Sequence, residues 1–349
     1  MHLTPFLWLL VGVLLVTWGL SHGYQWLALR FHFLDHPNHR SAHENPTPTG
    51  GGVVMVLVFT AGFLGLPSGV DDSPLLYALP GLLMVALTGF VDDFRSLSVK
   101  VRMLIFLLSS FWCLVWIGFP VLALPGLTLD TGWVGLLLGT LYLTGVLNLY
   151  NFMDGIDGLA AGEAVFVAGT AWLIAAYSGS DPSSVLLLVV AVAGGFLIIN
   201  WPGARLFMGD VGSSFLGMLL SALSLYLSEV GLWSWLILLG WFLSDSSLTL
   251  TLRWINGERI HEAHNLHAYQ QMARNHGVPG TLGIIFTINA IWLFPLAFVA
   301  NNYRDWGIVL LILAIVPLGF YQYRLGAGQR TRQQQLAVQQ MAVKAGTEQ

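Results

Sequence analysis

Apolar residues run along this chain in long uninterrupted stretches, and glycine, proline, histidine and the acids collect in the short segments between them. The apolar stretches lie roughly at 4–29, 50–67, 74–91, 101–119, 132–150, 158–178, 184–201, 212–228, 231–253, 280–301 and 304–325. Their lengths are close to the roughly 17 to 25 residues that a helix needs to cross a bilayer. In lipid the backbone must satisfy its own N–H and C=O groups, which a helix does within one segment. The pattern therefore predicts an all-α, polytopic integral membrane protein of about eleven transmembrane helices. A single transmembrane domain is expected over 1–325, followed by a polar tail over 326–349. The first stretch has no basic residue before it and is too long for the core of a cleaved signal peptide, so it reads as a retained helix.

The basic residues set the orientation. When the connections are assigned alternately to the two sides, thirteen of the fourteen lysines and arginines fall on one side, and only Arg304 falls on the other. By the positive-inside rule that side is the cytoplasm, which puts the N-terminus outside and the C-terminus inside. The outer connections, such as "PSGVDDSP" and "SGSDPS", are short runs of turn formers with no room for a folded domain. The inner connections are richer, and nearly all the chemistry-capable side chains collect there. The second, fourth, sixth, eighth and tenth spans enter from this side, so their N-termini face the cytoplasm as seats for anions.

Composition sharpens the picture. Hydrophobic residues make up 56% of the 349 positions and charged residues only 9%, so each ionisable group near a span needs a reason to be there. Cys113 is the only cysteine, which excludes an internal disulfide and a cysteine-built zinc site. The net charge of −4 adds little.

Four clusters stand out. Asp92 and Asp93 sit in "GFVDDFRSL", where adjacent acids could be a solvated helix end. Asn148, Asn151, Asp154 and Asp157 follow one another at spacings of three, which lines them up along one helical face running into a connection. Burying even one carboxylate at bilayer depth costs about 2.5 to 3.5 kcal/mol on insertion scales, so four polar groups on one face point to a ligand or a metal. Asp210 in "LFMGDVGSS" has the composition of a helix cap, yet its setting of acid, glycines and apolar helix repeats that of the previous cluster. Three acid-bearing connections on one face point to a shared divalent cation, and oxygen-only donors favour Mg²⁺ or Mn²⁺ over zinc. The fourth cluster is His261, His264 and His267, whose helical spacing suits a phosphate. "HEAHN" is not a zinc-protease motif, because Asn265 stands where that motif needs its second histidine. "PTGGGVV" lacks the Lys-Ser/Thr of a P-loop and reads as a place where helices or a substrate approach closely. Asp245 in "WFLSDSSLTL" falls inside the ninth span, either as a functional acid or as one satisfied by neighbouring hydroxyls.

Taken in order, "PTPTGGG", "DDFRSL", "NLYNFMDGIDGLA", "NWPGARLFMGDVGSSFLG" and "HEAHNLHAYQ" resemble the polyprenyl-phosphate N-acetylhexosamine-1-phosphate transferase family, from residue 46 to about 270. The resemblance implies transfer of a sugar 1-phosphate from a UDP-N-acetylhexosamine to undecaprenyl phosphate, with release of UMP and a requirement for Mg²⁺, at a cytoplasm-facing cleft of a bacterial inner membrane. It implies that Asp210 and Asn151 are the metal ligands and that Asp92 and Asp93 handle the lipid phosphate. Asp154 and Asp157 would serve the nucleotide side, with Phe207 placed to stack on uracil and Asn200 nearby. Arg102, with Lys100 as the alternative, and the three histidines would hold phosphate oxygens. The peptidoglycan members of the family carry a contiguous histidine run, whereas the histidines here are spaced and followed by "AYQ", as in enzymes that initiate O-antigen or exopolysaccharide synthesis. The expected donor is thus UDP-GlcNAc or a 6-deoxy relative (FucNAc or QuiNAc), with phospho-N-acetylmuramoyl-pentapeptide transfer as the alternative. A cation-coupled transporter is the rival from another class, since intramembrane acids and broken helices also mark ion pathways. Oligomeric state, a homodimer included, is left open.

Overall fold

The computed structural model describes residues 3–35, 46–66, 73–179, 183–258 and 264–329. Among the described residues the regular structure is helical except for two small antiparallel pairs, β1 (Leu34–Asp35) with β2 (Thr47–Pro48) and β3 (Leu122–Leu124) with β4 (Leu127–Leu129). In order, the helices are α1 (Leu3–Arg30), α2 (Gly52–Leu64), α3 (Pro74–Phe94), α4 (Val99–Ile117), α5 (Gly132–Phe152), α6 (Leu159–Tyr177) and α7 (Ser184–Asn200). They continue with α8 (Gly209–Tyr226), α9 (Leu232–Leu238), α10 (Gly240–Ile255), α11 (Ala268–Ile288), α12 (Phe294–Asn302) and α13 (Gly307–Arg324).

Each predicted apolar stretch is helical, but the stretches are not equivalent. Among the described residues six helices are long and apolar enough to cross a membrane: α3, α4, α5, α6, the run from α11 through α12, and the run ending in α13. A seventh is formed if α9 and α10 count as one span, though the two are bent by 73° at Leu239. At 13 residues α2 reaches only about 20 Å, because part of its apolar stretch lies in the flanking turns. The tenth stretch is broken differently: Gly277, just before it, leaves helical geometry at φ 68°, and within it Asn289–Leu293 forms a π-helical turn between α11 and α12.

Helix α8 is the axis of packing. Val211 to Leu225 are all buried, with α3, α5 and α2 against it. Lipid offers no hydrophobic drive for helices to associate, so close approach through small residues supplies the attraction. A Cβ on Gly52 would fall on Gly212, and one on Gly89 would fall on the backbone of Asp210 and Val211. On α8 itself, a Cβ on Gly217 would come within 2.7 Å of Leu147 Cα on α5. The glycine-rich "PTGGGVV" thus serves helix contact. Several polar groups within this packing pair with each other, as in Thr144 donating to Ser110 (2.9 Å) and the Tyr142–Ser224 hydroxyl pair (2.8 Å).

The two ends of the bundle are tied by different residues. At one end Arg304 donates to Ser228 O (2.9 Å) and Glu229 O (3.0 Å), Asn301 accepts from Gly231 N–H (2.8 Å), and Trp233 donates to Ala123 O (2.8 Å). At the other end the α3–α4, α5–α6, α7–α8 and α10–α11 connections meet. Gly328 N–H donates to Leu266 O there (2.8 Å), so the chain stays with the body as far as Gly328.

Candidate active site

The acids converge where α3 meets the start of α8. The turn before α8 is zipped to the segment before α2: Phe207 N–H donates to Pro48 O (2.8 Å), and Gly51 and Gly52 N–H donate to Phe207 O and Met208 O (2.9 and 2.8 Å). Gly209 then takes φ +73°, where a side chain would be strained and would also strike the Asp93 carboxylate. This close approach lets Asp93 cap α8, its Oδ1 accepting from Asp210 N–H (2.8 Å) and its Oδ2 from Val211 N–H (3.3 Å). The positive end of α8 is therefore closed by an internal carboxylate and not left open to a ligand.

Arg102, from the first turn of α4, links the remaining acids. Its Nη1 pairs with Asp92 Oδ2 and lies 3.2 Å from Asp210 Oδ2. Asp92 also accepts from Leu97 N–H (2.6 Å), which fixes the α3–α4 turn. Of the two basic candidates, Arg102 enters the acid cluster, while Lys100 stands exposed. Asn151 stands beside Asp210, and its Oδ1 accepts from Ser213 Oγ (2.8 Å). Asp154, in the α5–α6 connection, completes the group: burial first, then the charges of Asp210, Asp93 and Asp157, push its carboxyl well above the ordinary range.

Other candidates brace the loops. Asp157 Oδ2 accepts from Gly203 and Ala204 N–H (both 3.0 Å), and Asn200 accepts from Gly158 N–H (2.9 Å) while donating to Leu206 O (3.0 Å). These bonds fasten the α5–α6 and α7–α8 connections to each other. Asn148 donates along its own helix to Thr144 O (2.7 Å). Phe207 is half-buried in the same turn. His264 and His267 stack with centroids 4.8 Å apart, and His267 also stacks on Phe152 and Tyr269. His261 lies outside the described residues. One residue absent from the sequence reading belongs here: Tyr24 of α1, whose hydroxyl donates to Thr49 O (3.2 Å) and feels the charge of Asp93. It sits in an apolar helix, where a lone tyrosine carries no signal.

Among the described residues no three His, Cys, Asp or Glu side chains form a closed metal cluster. The oxygen donors that do meet, Asp210 beside Asn151 and Asp92, fit a hard cation that takes one or two protein carboxylates and completes its shell with water and phosphate.

A sequence model of glycosyl transferase family 4 matches residues 75–228, which span all of these acids. A probable undecaprenyl-phosphate N-acetylglucosaminyl 1-phosphate transferase of Bacillus subtilis is 32% identical over 284 residues, 76% of this chain and 79% of that protein. The chain belongs to glycosyl transferase family 4. Within this family it is also similar to a decaprenyl-phosphate N-acetylglucosaminephosphotransferase of Mycolicibacterium smegmatis, at 34% identity over 57% of this chain and 54% of that protein. A phospho-N-acetylmuramoyl-pentapeptide-transferase of Shouchella clausii is 31% identical over 66% of this chain and 76% of that protein. A family 4 member of this kind is a membrane-embedded transferase, and its matched segment runs from α3 to the end of α8.

Proposed function

We propose that this protein transfers an N-acetylhexosamine 1-phosphate from a UDP-sugar to undecaprenyl phosphate, releasing UMP, at the cytoplasmic face of a bacterial inner membrane. The observation that carries the reading is the meeting of Asp92, Asp93, Asp154 and Asp210, with the Arg102 guanidinium paired to Asp92 and Asp210. A phosphate oxygen of the lipid attacks the sugar-bearing phosphorus of the donor; the new O–P bond forms as the bond to the UMP oxygen breaks. The lipid phosphate has a second pKa near 6 and is largely ionised at neutral pH, so the chain has little need to remove a proton. What it must do is bring two anions together. Arg102 is placed to turn from the acids toward phosphate oxygens, and His264 and His267 supply further donors beside the Asn151–Asp157 loop. Asp210 and Asn151 would hold Mg²⁺, or Mn²⁺, which would supply the charge neutralisation that two phosphates require. Asp92 and Asp93 would handle the lipid phosphate, and Asp154 and Asp157 would serve the nucleotide side, with Phe207 to stack on uracil.

The donor is UDP-GlcNAc or a 6-deoxy relative, and the product begins an O-antigen or related glycan. The spaced histidines support this over muramoyl-pentapeptide transfer, which the similarity to the Shouchella clausii protein keeps as the second reading. The test is UMP release by detergent-solubilised protein given undecaprenyl phosphate, Mg²⁺ and, separately, UDP-GlcNAc, its 6-deoxy relatives and UDP-N-acetylmuramoyl-pentapeptide, with and without EDTA. Metal-dependent UMP from one of the first group is the expected result. Release from the pentapeptide donor alone would establish the second reading, and release from none would overturn both.

A further inference from the structure

Asp245 is fully buried in α10, at 0% exposure, yet no step above uses it. Its oxygens are all committed. Oδ1 accepts from Ala268 N–H (2.9 Å) and Thr249 Oγ1 (3.2 Å), and Oδ2 accepts from Tyr269 N–H (3.0 Å). The same Oδ1 lies 3.4 Å from His267 Nδ1. An acid on α10 therefore closes the N-terminus of α11 and faces one edge of the imidazole, which leaves Nε2 on the edge turned away from α10.

The clamp reaches further. Tyr269, held by its N–H to Asp245, donates its hydroxyl to Phe152 O (3.0 Å), one residue after Asn151 and two before Asp154. A Cβ on Gly155 would fall on that hydroxyl, so the loop bearing Asp154 has no clearance to slide. Phe152 in turn stacks on His267 at 6.1 Å between centroids. Asp245, Tyr269, Phe152 and His267 thus form one connected unit that joins the histidine segment to the Asn151–Asp157 connection.

We infer that Asp245 is a positioning residue for sugar-phosphate transfer: by clamping the first turn of α11 it holds His267, and with it His264, against the loop that carries Asn151 and Asp154. The inference rests on the transferase reading for its chemistry, but the clamp can be measured without it. A displacement of about 1 Å in a group that aligns reacting atoms costs on the order of 10²-fold in rate.

The experiment compares the wild type with Asp245→Asn, His267→Ala and the double variant in the full-length, detergent-solubilised protein. Hydrogen exchange is followed in peptides covering 266–272, and UMP release is assayed with UDP-GlcNAc and undecaprenyl phosphate. In Asp245→Asn the amides of Ala268 and Tyr269 should exchange at least about tenfold faster. Its kcat should fall by about 10²-fold, and the double variant should be no slower than His267→Ala, because both changes remove the same aligned group. Unchanged exchange would overturn the clamp. Faster exchange with unchanged turnover, or losses that multiply in the double variant, would overturn the positioning role and leave Asp245 as a helix cap. Absence of UMP from the wild type would count against the transferase reading, while the clamp would still stand or fall on the exchange data. If Asp245→Asn does not accumulate, Thr249→Val, which removes one donor from the same carboxylate, takes its place with several-fold effects on the same two readouts.

Discussion

Asp93 and Asp245 each sit on one helix and close the N-terminus of another. Asp93 accepts the first N–H groups of α8 and Asp245 those of α11. A helix cap contributes about 0.5 to 2 kcal/mol, which offsets much of the cost of keeping a carboxylate near the bilayer core. The two differ in what surrounds them. Around Asp245 every carboxylate oxygen has its donors, and its titratable neighbours among the described residues are His267 and Tyr269, neither of them another carboxylate. Around Asp93 stand Asp92, Asp154 and Asp210, and among the described residues Arg102 is the cation paired to two of them, Asp92 and Asp210. An acid inside a membrane protein is therefore not by itself a mark of chemistry. A surplus of carboxylates over donors is, because that surplus has to be met by something the chain does not supply.

The comparison can be broken in four places. Asp210→Asn should lower UMP release by about 10³-fold or more while circular dichroism shows the helices intact, since it removes a proposed cation ligand and not a cap; normal turnover would end the metal assignment. Asp93→Asn keeps an acceptor for the N–H groups of α8 but removes a charge, and about 10²-fold is expected. A loss of only twofold would make Asp93 a helix cap and nothing more. Gly89→Val drives a side chain into the backbone of Asp210 and Val211. It should destabilise the protein by about 1 to 3 kcal/mol or more, seen as a lower midpoint of thermal unfolding. At the opposite end, Arg304→Ala loses two hydrogen bonds to carbonyls and should cost about 1 kcal/mol with UMP release within twofold of wild type. A large loss of activity there would mean that the two ends are coupled.

Much of the candidate site was legible in advance. Asp92, Asp93, Asp154 and Asp210 are recognisable because acids beside glycines interrupt apolar runs, and the structure brings them together. Asp157 and Asn200 share the same local signals yet brace the loops, because a loop carboxylate that finds two backbone N–H groups is satisfied there. Tyr24 was not legible, since its importance comes only from lying across from Gly50 and Asp93. Of the eleven expected spans, six or seven are long and apolar enough among the described residues: α2 is apolar but short, and α9 with α10 bends, and neither property shows in hydropathy.

By itself the sequence determined where helices form and that the acids collect in the connections between them. In lipid the backbone must be satisfied locally, so an apolar run of sufficient length has essentially one structure, and polar residues are left to its ends. Only the tertiary structure decided which acid caps which helix. Asp93 and Asp210 are 117 residues apart and Asp245 and Ala268 are 23 apart. Those pairings depend on how closely helices approach through Gly52, Gly89 and Gly217, a property of packed surfaces that no local stretch of sequence contains.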